Sequence, residues 1–438
     1  MATEANNLQR RFGLRTAVAL LIGQVIAVGI FLTPAGMAKS VGSPFWLLVV
    51  WLLTGLMALC GALCFGELAS RYPEAGGAYV YLREAYGKPL AFLYGWMVLL
   101  VLDPGLTAAF AVGMTKYVDY LVPLHPAAQQ LFAIAAVVIV AGVNILGTRI
   151  GSNVLQFLTV LKVGTLAFIV IYGFAGGRGD FANFSPFFAA PKDVVGALAG
   201  GLVGAFFAFA GWWEVSRLAG EIKEPERNLP KALALGVILL TVIYVSTSAV
   251  FMYLVPTESV TSDETFAAQA GEALFGAIGG RIFAAIVVVS VLGTLVAYLM
   301  AAPRVYYAMA RDGLFFESIA RLHPRFKTPH RATIIQAALA VVLILSGSFQ
   351  QIISYFFFIV VLFIAMTVAG LFRIRKREFH GYHTPLYPVT PIIFLAITAV
   401  VLFLIGLGNP FQTVLGTAVV LLGLPVYYYL FRKQGDLN

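Results

Sequence analysis

Twelve apolar runs separated by short charged or turn-rich breaks make up most of this chain. They cover about residues 14–38, 44–69, 89–115, 130–147, 153–175, 194–220, 231–255, 280–310, 332–347, 351–372, 387–407 and 411–431. A helix needs about 20 apolar residues to cross the hydrocarbon of a bilayer. Backbone amides cannot go unpaired in lipid, so each run reads as a helical span. The composition removes the soluble alternative. Of 438 residues, 60% are hydrophobic and 11% charged, with a mean hydropathy of +0.90. A soluble chain carries about 25% charged residues, and no core of this size hides so much apolar surface.

A net charge of +9 would ordinarily raise the question of nucleic acid. Here the basic residues sit in short loops between apolar runs, which is how topology is set, so no nucleic-acid partner is expected. If the runs alternate in direction, 21 Lys and Arg fall on the side of the N-terminus. The other side holds five: Lys39, Lys116, Arg178, Lys192 and Arg281. That imbalance puts both termini in the cytoplasm. Met1 to Arg11 is polar and lacks the apolar core of a signal peptide, so the first run is expected to stay as a span. Cys60 and Cys64 lie one helical turn apart in one run and read as packing residues.

Two runs have unusual interiors. The first contains Gly23-Gln24-Val25-Ile26-Ala27-Val28-Gly29-Ile30-Phe31-Leu32-Thr33-Pro34, and the sixth contains Gly200-Gly201-Leu202-Val203-Gly204 and, further on, Phe207-Ala208-Phe209-Ala210-Gly211-Trp212-Trp213-Glu214. Each opens a set of five runs. Interrupted spans at matching places in two halves point to an inverted repeat with a binding site at mid-membrane. An unwound turn frees amides, which can bind a carboxylate at the positive end of a half-helix, and carbonyls, which can accept from an ammonium. A zwitterionic amino acid carries both groups. Glycine also serves close helix packing, which is the plainer reading of any single one of these residues.

Three further stretches carry a family resemblance. They are Glu67-Leu68-Ala69-Ser70-Arg71-Tyr72-Pro73 with Gly76-Gly77-Ala78-Tyr79, Gly220-Glu221-Ile222-Lys223-Glu224-Pro225-Glu226-Arg227-Asn228-Leu229-Pro230, and Arg304-Val305-Tyr306-Tyr307-Ala308-Met309-Ala310-Arg311-Asp312-Gly313. With these the chain resembles the amino acid–polyamine–organocation superfamily and, within it, the L-type amino acid transporters, over about residues 12–430. The resemblance implies an all-α membrane protein of twelve transmembrane helices in a leucine-transporter-type fold. It would be one transporter domain, 1–438, with repeat one at about 14–175, repeat two at about 194–372, broken helices 1 and 6, and two extra C-terminal helices at about 387–431. It implies secondary transport of amino acids across a plasma membrane, the inner membrane of a prokaryote, by alternating access. No ATP, cofactor or metal is expected.

Carried over by motif, the first break maps to Ile26, Ala27, Val28, Gly29 and Ile30, whose amides would take the substrate carboxylate. The second maps to Phe207, Ala208, Phe209 and Ala210, whose carbonyls would take the amine, with Phe207 as the aromatic gate. Lys162 stands where sodium-independent members carry a lysine on the fifth span, so transport is expected not to need sodium. It lies about 15 Å into the span at 1.5 Å per residue, with Gly23, Gln24 and Ser290 as candidate neighbours. Ala27-Val28-Gly29 replaces the family's glycine-serine-glycine, Trp212-Trp213 replaces tryptophan-asparagine, and Val296 stands at a polar position of the eighth span. A drier pocket follows, favouring exchange of small or apolar neutral amino acids. The loop 118–130 lacks the cysteine by which eukaryotic members attach an ancillary glycoprotein, so no disulfide-linked partner is expected. The substrate and membrane lipid are the expected partners.

Charges inside spans are costly and need a reason. Glu214 and Arg217, three apart, can pair on one helix face. Asp103, before Pro104, reads either as a hydrogen-bonded structural carboxylate or as a site for proton coupling or a cationic substrate; Glu214 shares the coupling possibility. Arg304 is expected at the cytoplasmic vestibule. The five histidines fall in loops, and no nucleophile elbow, phosphate loop or zinc motif is present, so an enzyme is not expected. A channel would want rings of polar residues from identical subunits. A proton-coupled symporter, or a non-transporting sensor on the same fold, remains open beside the exchanger.

Overall fold

The computed structural model describes residues 8–27, 29–189, 194–256, 266–346 and 349–431. Among these the regular structure is helical apart from one isolated parallel bridge, Phe12 with Ile222. Ten helical stretches are long and apolar enough to span a membrane, and two shorter apolar helices, Leu14–Val25 and His330–Ser346, accompany them. Large apolar side chains such as Val160, Ile171, Phe403 and Val414 face outward. A soluble protein rarely exposes such surface in quantity, whereas a lipid-embedded one does so at no cost. The chain is an integral membrane protein.

The first apolar run is two helices, α1 (Leu14–Val25) and α2 (Gly29–Val41). Then come α3 (Pro44–Arg71), α4 (Ala78–Tyr86) and α5 (Lys88–Met97). A π turn, Val98–Leu102, joins α5 to α6 (Asp103–Leu121). Pro104 has no amide to donate, and the Asp103 amide reaches five residues back to the Val98 carbonyl. Such a widened turn re-aims the side chain that follows it. Next are α7 (Pro126–Ile145), α8 (Thr148–Ala175) and α9 (Val194–Phe209).

At α9 the helix stops. Gly211 takes a φ of +102°, which glycine adopts without steric cost, and the chain continues as a 3₁₀ helix, Trp212–Glu221. Beyond it lie α10 (Pro225–Leu254), α11 (Phe266–Phe275), α12 (Gly279–Ala301), α13 (Pro303–Arg311), α14 (His330–Ser346) and α15 (Phe349–Ile374). The final elements are α16 (Val389–Gly408), α17 (Pro410–Leu421) and α18 (Gly423–Val426). His330 opens α14 rather than lying in a loop.

Packing brings the two broken stretches together. α2 lies along α9, α3 along α10, and α1 touches α8, α10 and α12. A Cβ on Gly29 would stand 3.0 Å from the Ala208 Cα, so any larger residue would push the two backbones apart by a few tenths of an ångström. At the other ends, the Phe12 amide donates to the Glu221 carbonyl at 2.9 Å and the Lys223 amide to the Phe12 carbonyl at 2.8 Å. The segment entering α1 is thereby tied to the end of the 3₁₀ helix.

Candidate functional site

A cavity of about 80 Å³ opens where the two breaks meet. Ala27 and Gly29 contribute from the first break, and Phe207, Ala208, Ala210 and Gly211 from the second. Val101, Leu106, Phe110 and Phe357 make the opposite wall apolar, while Gln24, Glu214 and Tyr298 supply polar atoms. Ile26, Ile30 and Phe209 are buried behind this surface. Val28 lies outside the described residues. Phe207 as a residue is 41% exposed, with the Phe357 ring 5.9 Å from its own between centroids. Gln24 donates through Nε2 to the Ala297 carbonyl at 3.3 Å, and its buried Oε1 has no protein partner.

The freed carbonyls of the first break are already in use. The Ile26 carbonyl accepts from Lys162 Nζ at 2.6 Å, Thr294 Oγ1 at 2.9 Å and Ser290 Oγ at 3.2 Å. Lys162 Nζ donates also to the Gly23 carbonyl and to Thr294 Oγ1, each at 3.2 Å. The three partners of this nitrogen are neutral oxygens of Gly23, Ile26 and Thr294, and of the expected neighbours neither Gln24 nor Ser290 is among them. Thr294, two residues before the apolar replacement Val296, was not singled out by sequence; a lone hydroxyl in a span gave no signal of which helix it would meet.

Tyr244 is the other residue that sequence reasoning missed. Its hydroxyl lies 3.2 Å from the Val25 carbonyl and 3.0 Å from the Ala208 carbonyl, one oxygen from each break. The ring is wedged among Trp51 and Phe209, with centroids at 5.2 and 5.1 Å. A buried tyrosine hydroxyl seeks a partner, which was the only available hint. The Ala208 carbonyl is therefore engaged by the protein itself.

Below the cavity sits a cluster of charges. The 3₁₀ geometry of three residues per turn eclipses side chains three apart, so Glu214 and Arg217 stack, with Oε2 and Nε 2.5 Å apart. Arg217 Nη1 donates to both Asp103 oxygens at 3.0 Å, and Nη2 to the Tyr94 hydroxyl at 3.3 Å. The Tyr298 and Tyr306 hydroxyls each donate to Asp103 at 2.7 Å. Asp103 does not line the cavity; Glu214 does. Arg304 corrects an expectation: it is buried, bonded to Glu221 at 2.7 Å and to the Met300 carbonyl, and faces no vestibule. Burial of a guanidinium is tolerable only with such partners.

Comparison with known proteins places the geometry in context. The amino acid permease family matches residues 12–430. The serine/threonine exchanger SteT of Bacillus subtilis is 31% identical, with all of both chains aligned. The b(0,+)-type amino acid transporter 1 of Mus musculus is 28% identical over 98% of this chain and 89% of its own. The cystine/glutamate transporter of Homo sapiens is 27% identical over 97% and 86%.

Proposed function

We propose, from the premise that this chain belongs to the amino acid permease family of the amino acid–polyamine–organocation superfamily, that it exchanges small or apolar neutral amino acids without sodium. As a family member it is a secondary transporter of amino acids and not an enzyme. The observation that carries the finer reading is the meeting of two helix breaks at one apolar cavity, with Gly29 against Ala208 and the start of α2 at its edge. The first amides of α2 have no partner within the helix and suit a carboxylate. Ile26, Ala27, Val28, Gly29 and Ile30 would serve that end of the substrate. Phe207, Ala208, Phe209 and Ala210 would serve the amine, with the Gln24 Oε1 as a further acceptor. The Ala208 carbonyl would have to be yielded by Tyr244.

Phe207 is the gate in this reading, because its ring stands at the cavity and is not packed away. Lys162, held by carbonyls where a monovalent cation would suit, supports sodium independence. The name of the Bacillus relative supports exchange of small amino acids. The fold is read as twelve spans in a five-plus-five inverted repeat, the repeats at about 14–175 and 194–372, the extra helices at about 387–431, all in one domain. Both termini are cytoplasmic in a prokaryotic inner membrane.

Counterflow of labelled amino acids in sodium-free proteoliposomes tests the proposal. Serine or alanine should accumulate against unlabelled internal substrate, and Phe207→Ala should slow this about tenfold while Phe207→Tyr keeps part of the rate. A wild-type protein that binds amino acids without counterflow is a sensor, and one that needs sodium loses the role given to Lys162.

A further inference from the structure

We infer that the basic cleft where the end of α3 meets the loop between α15 and α16 binds the phosphate headgroup of an anionic phospholipid. This site lies far along the helices from the cavity, and it does not depend on the transport reading.

The cleft has a volume of about 620 Å³ and is lined by Arg71, Arg375, Arg377, His380 and His383, with one carboxylate, Glu378. Arg373 and Lys376 on the same stretch are exposed and basic, so four Lys and Arg between residues 373 and 383 stand against that single Glu. Basic clusters at a membrane surface attract anionic lipid. The arrangement here is more than a cluster, because the arginines are fixed from behind.

Glu67 is buried at the end of α3. Its carboxylate accepts from Arg71 Nη2 and Arg375 Nε, each at 2.9 Å, and from the Thr384 amide at 2.8 Å. Two guanidiniums therefore answer one carboxylate, and a positive charge is left over at the cleft. Aromatic rings set the planes of both: Phe379 lies 4.5 Å from the guanidinium carbon of Arg71, and Tyr387 lies 3.8 Å from that of Arg375. Arg377 donates to the Tyr72 hydroxyl at 3.1 Å and to Glu84 at 3.2 Å. Guanidiniums already held in place lose little freedom on meeting a phosphate, whose oxygens suit their forked donors. A second basic cleft, beside Leu8 and Arg10, is different. Its Arg83 meets Glu74, Glu84 and Asp312, so that charge is spent.

Lipid-facing surface begins next to the first cleft. Leu386 follows His383 by three residues, so the two lie within about 11 Å, and Leu386 is 80% exposed. Along α16, Val389, Ile392, Ala396, Ala399 and Phe403 are exposed at helical spacing on one face. Tyr387, between the cleft and this stripe, is of the type that settles at headgroup depth. Fixed cations beside an apolar stripe match a molecule with an anionic head and acyl chains. A free phosphate would use the cations alone.

The full chain in neutral detergent is incubated with equal amounts of phosphatidylglycerol and phosphatidylcholine, and the lipid retained after gel filtration is measured. Wild type should keep phosphatidylglycerol about tenfold over phosphatidylcholine. Arg375→Gln with Arg377→Gln should reduce the ratio to near one, while Glu67 keeps Arg71 as its partner. Arg321→Gln with Arg325→Gln, an equal loss of exposed charge in the loop before α14, should leave the ratio unchanged. Equal retention of the two lipids by wild type overturns the inference, and so does an equal loss in both double variants, which would make the attraction diffuse. Displacement of the lipid by an equimolar amount of glycerol 1-phosphate also overturns it, because the ligand is then a free phosphate. If the Arg375/Arg377 variant does not fold, wild type is cross-linked to phosphatidylglycerol bearing a photoreactive group near the glycerol. Adducts within residues 371–392 are expected, and adducts confined to other segments overturn the inference.

Discussion

Lys162 and Arg217 are both cations buried in the same helical bundle, and they are held in opposite ways. The ammonium of Lys162 lies among neutral oxygens, the carbonyls of Gly23 and Ile26 and the hydroxyl of Thr294. The guanidinium of Arg217 lies between two carboxylates and a tyrosine. Dipoles orient the Lys162 amine at the first helix break and supply no counter-charge to it. Carboxylates cancel charge, and in the Arg217 cluster two of them meet one guanidinium. One site lends its charge to the local structure of α1. The other sets two carboxylates against one guanidinium, with Glu214 at the cavity wall.

The comparison breaks most readily at Arg217. Arg217→Met would leave two buried carboxylates without a cation, and loss of one partner of a buried pair costs about 3–5 kcal/mol. Thermal unfolding in detergent should show a large fall in midpoint or no folded protein. Lys162→Met should be milder for stability, about 1–3 kcal/mol, since Ser290 and Thr294 still donate to the Ile26 carbonyl. Its counterflow should nevertheless fall more than about tenfold, on the view that a 1.4 kcal/mol change in the positioning of the break is already tenfold. Equal destabilisation by the two substitutions would erase the distinction.

Tyr244→Phe sharpens the neutral side of the comparison. It removes one uncharged donor shared by the Val25 and Ala208 carbonyls, worth about 1 kcal/mol, and should lower the unfolding midpoint slightly while changing apparent substrate affinity more than stability. Replacement of sodium by choline should have the smallest effect. Counterflow rates should agree within about twofold, because the Lys162 nitrogen already occupies the space among the freed carbonyls and the Thr294 hydroxyl.

Much of the site was legible before any coordinates. Apolar runs of this length have one reading, and glycines in the first and sixth runs marked where those helices break. Counting residues placed Lys162 well inside its span, and the side chain is buried. Gly23 proved to be one of its three acceptors, whereas Gln24 turned to Ala297. The pairing of Glu214 with Arg217 followed from their spacing of three. The second carboxylate on Arg217, Asp103, did not, because it is 114 residues away and nothing local relates them. Tyr244 and Thr294 were invisible for the same reason: one hydroxyl in an apolar helix reads as packing until the facing helix is known.

The sequence by itself determined the solvent of this protein, the class of its secondary structure and the places where two helices stop. These follow from local chemistry: apolar length, the need of every amide for a partner in lipid, and the freedom of glycine. Tertiary structure alone decided which carbonyls at the breaks are taken by the protein and which carboxylate of the buried pair faces the cavity. Those outcomes depend on the approach of α6, α8, α10 and α12, helices distant along the chain, around a centre where water is scarce and each polar atom must find its partner across the bundle.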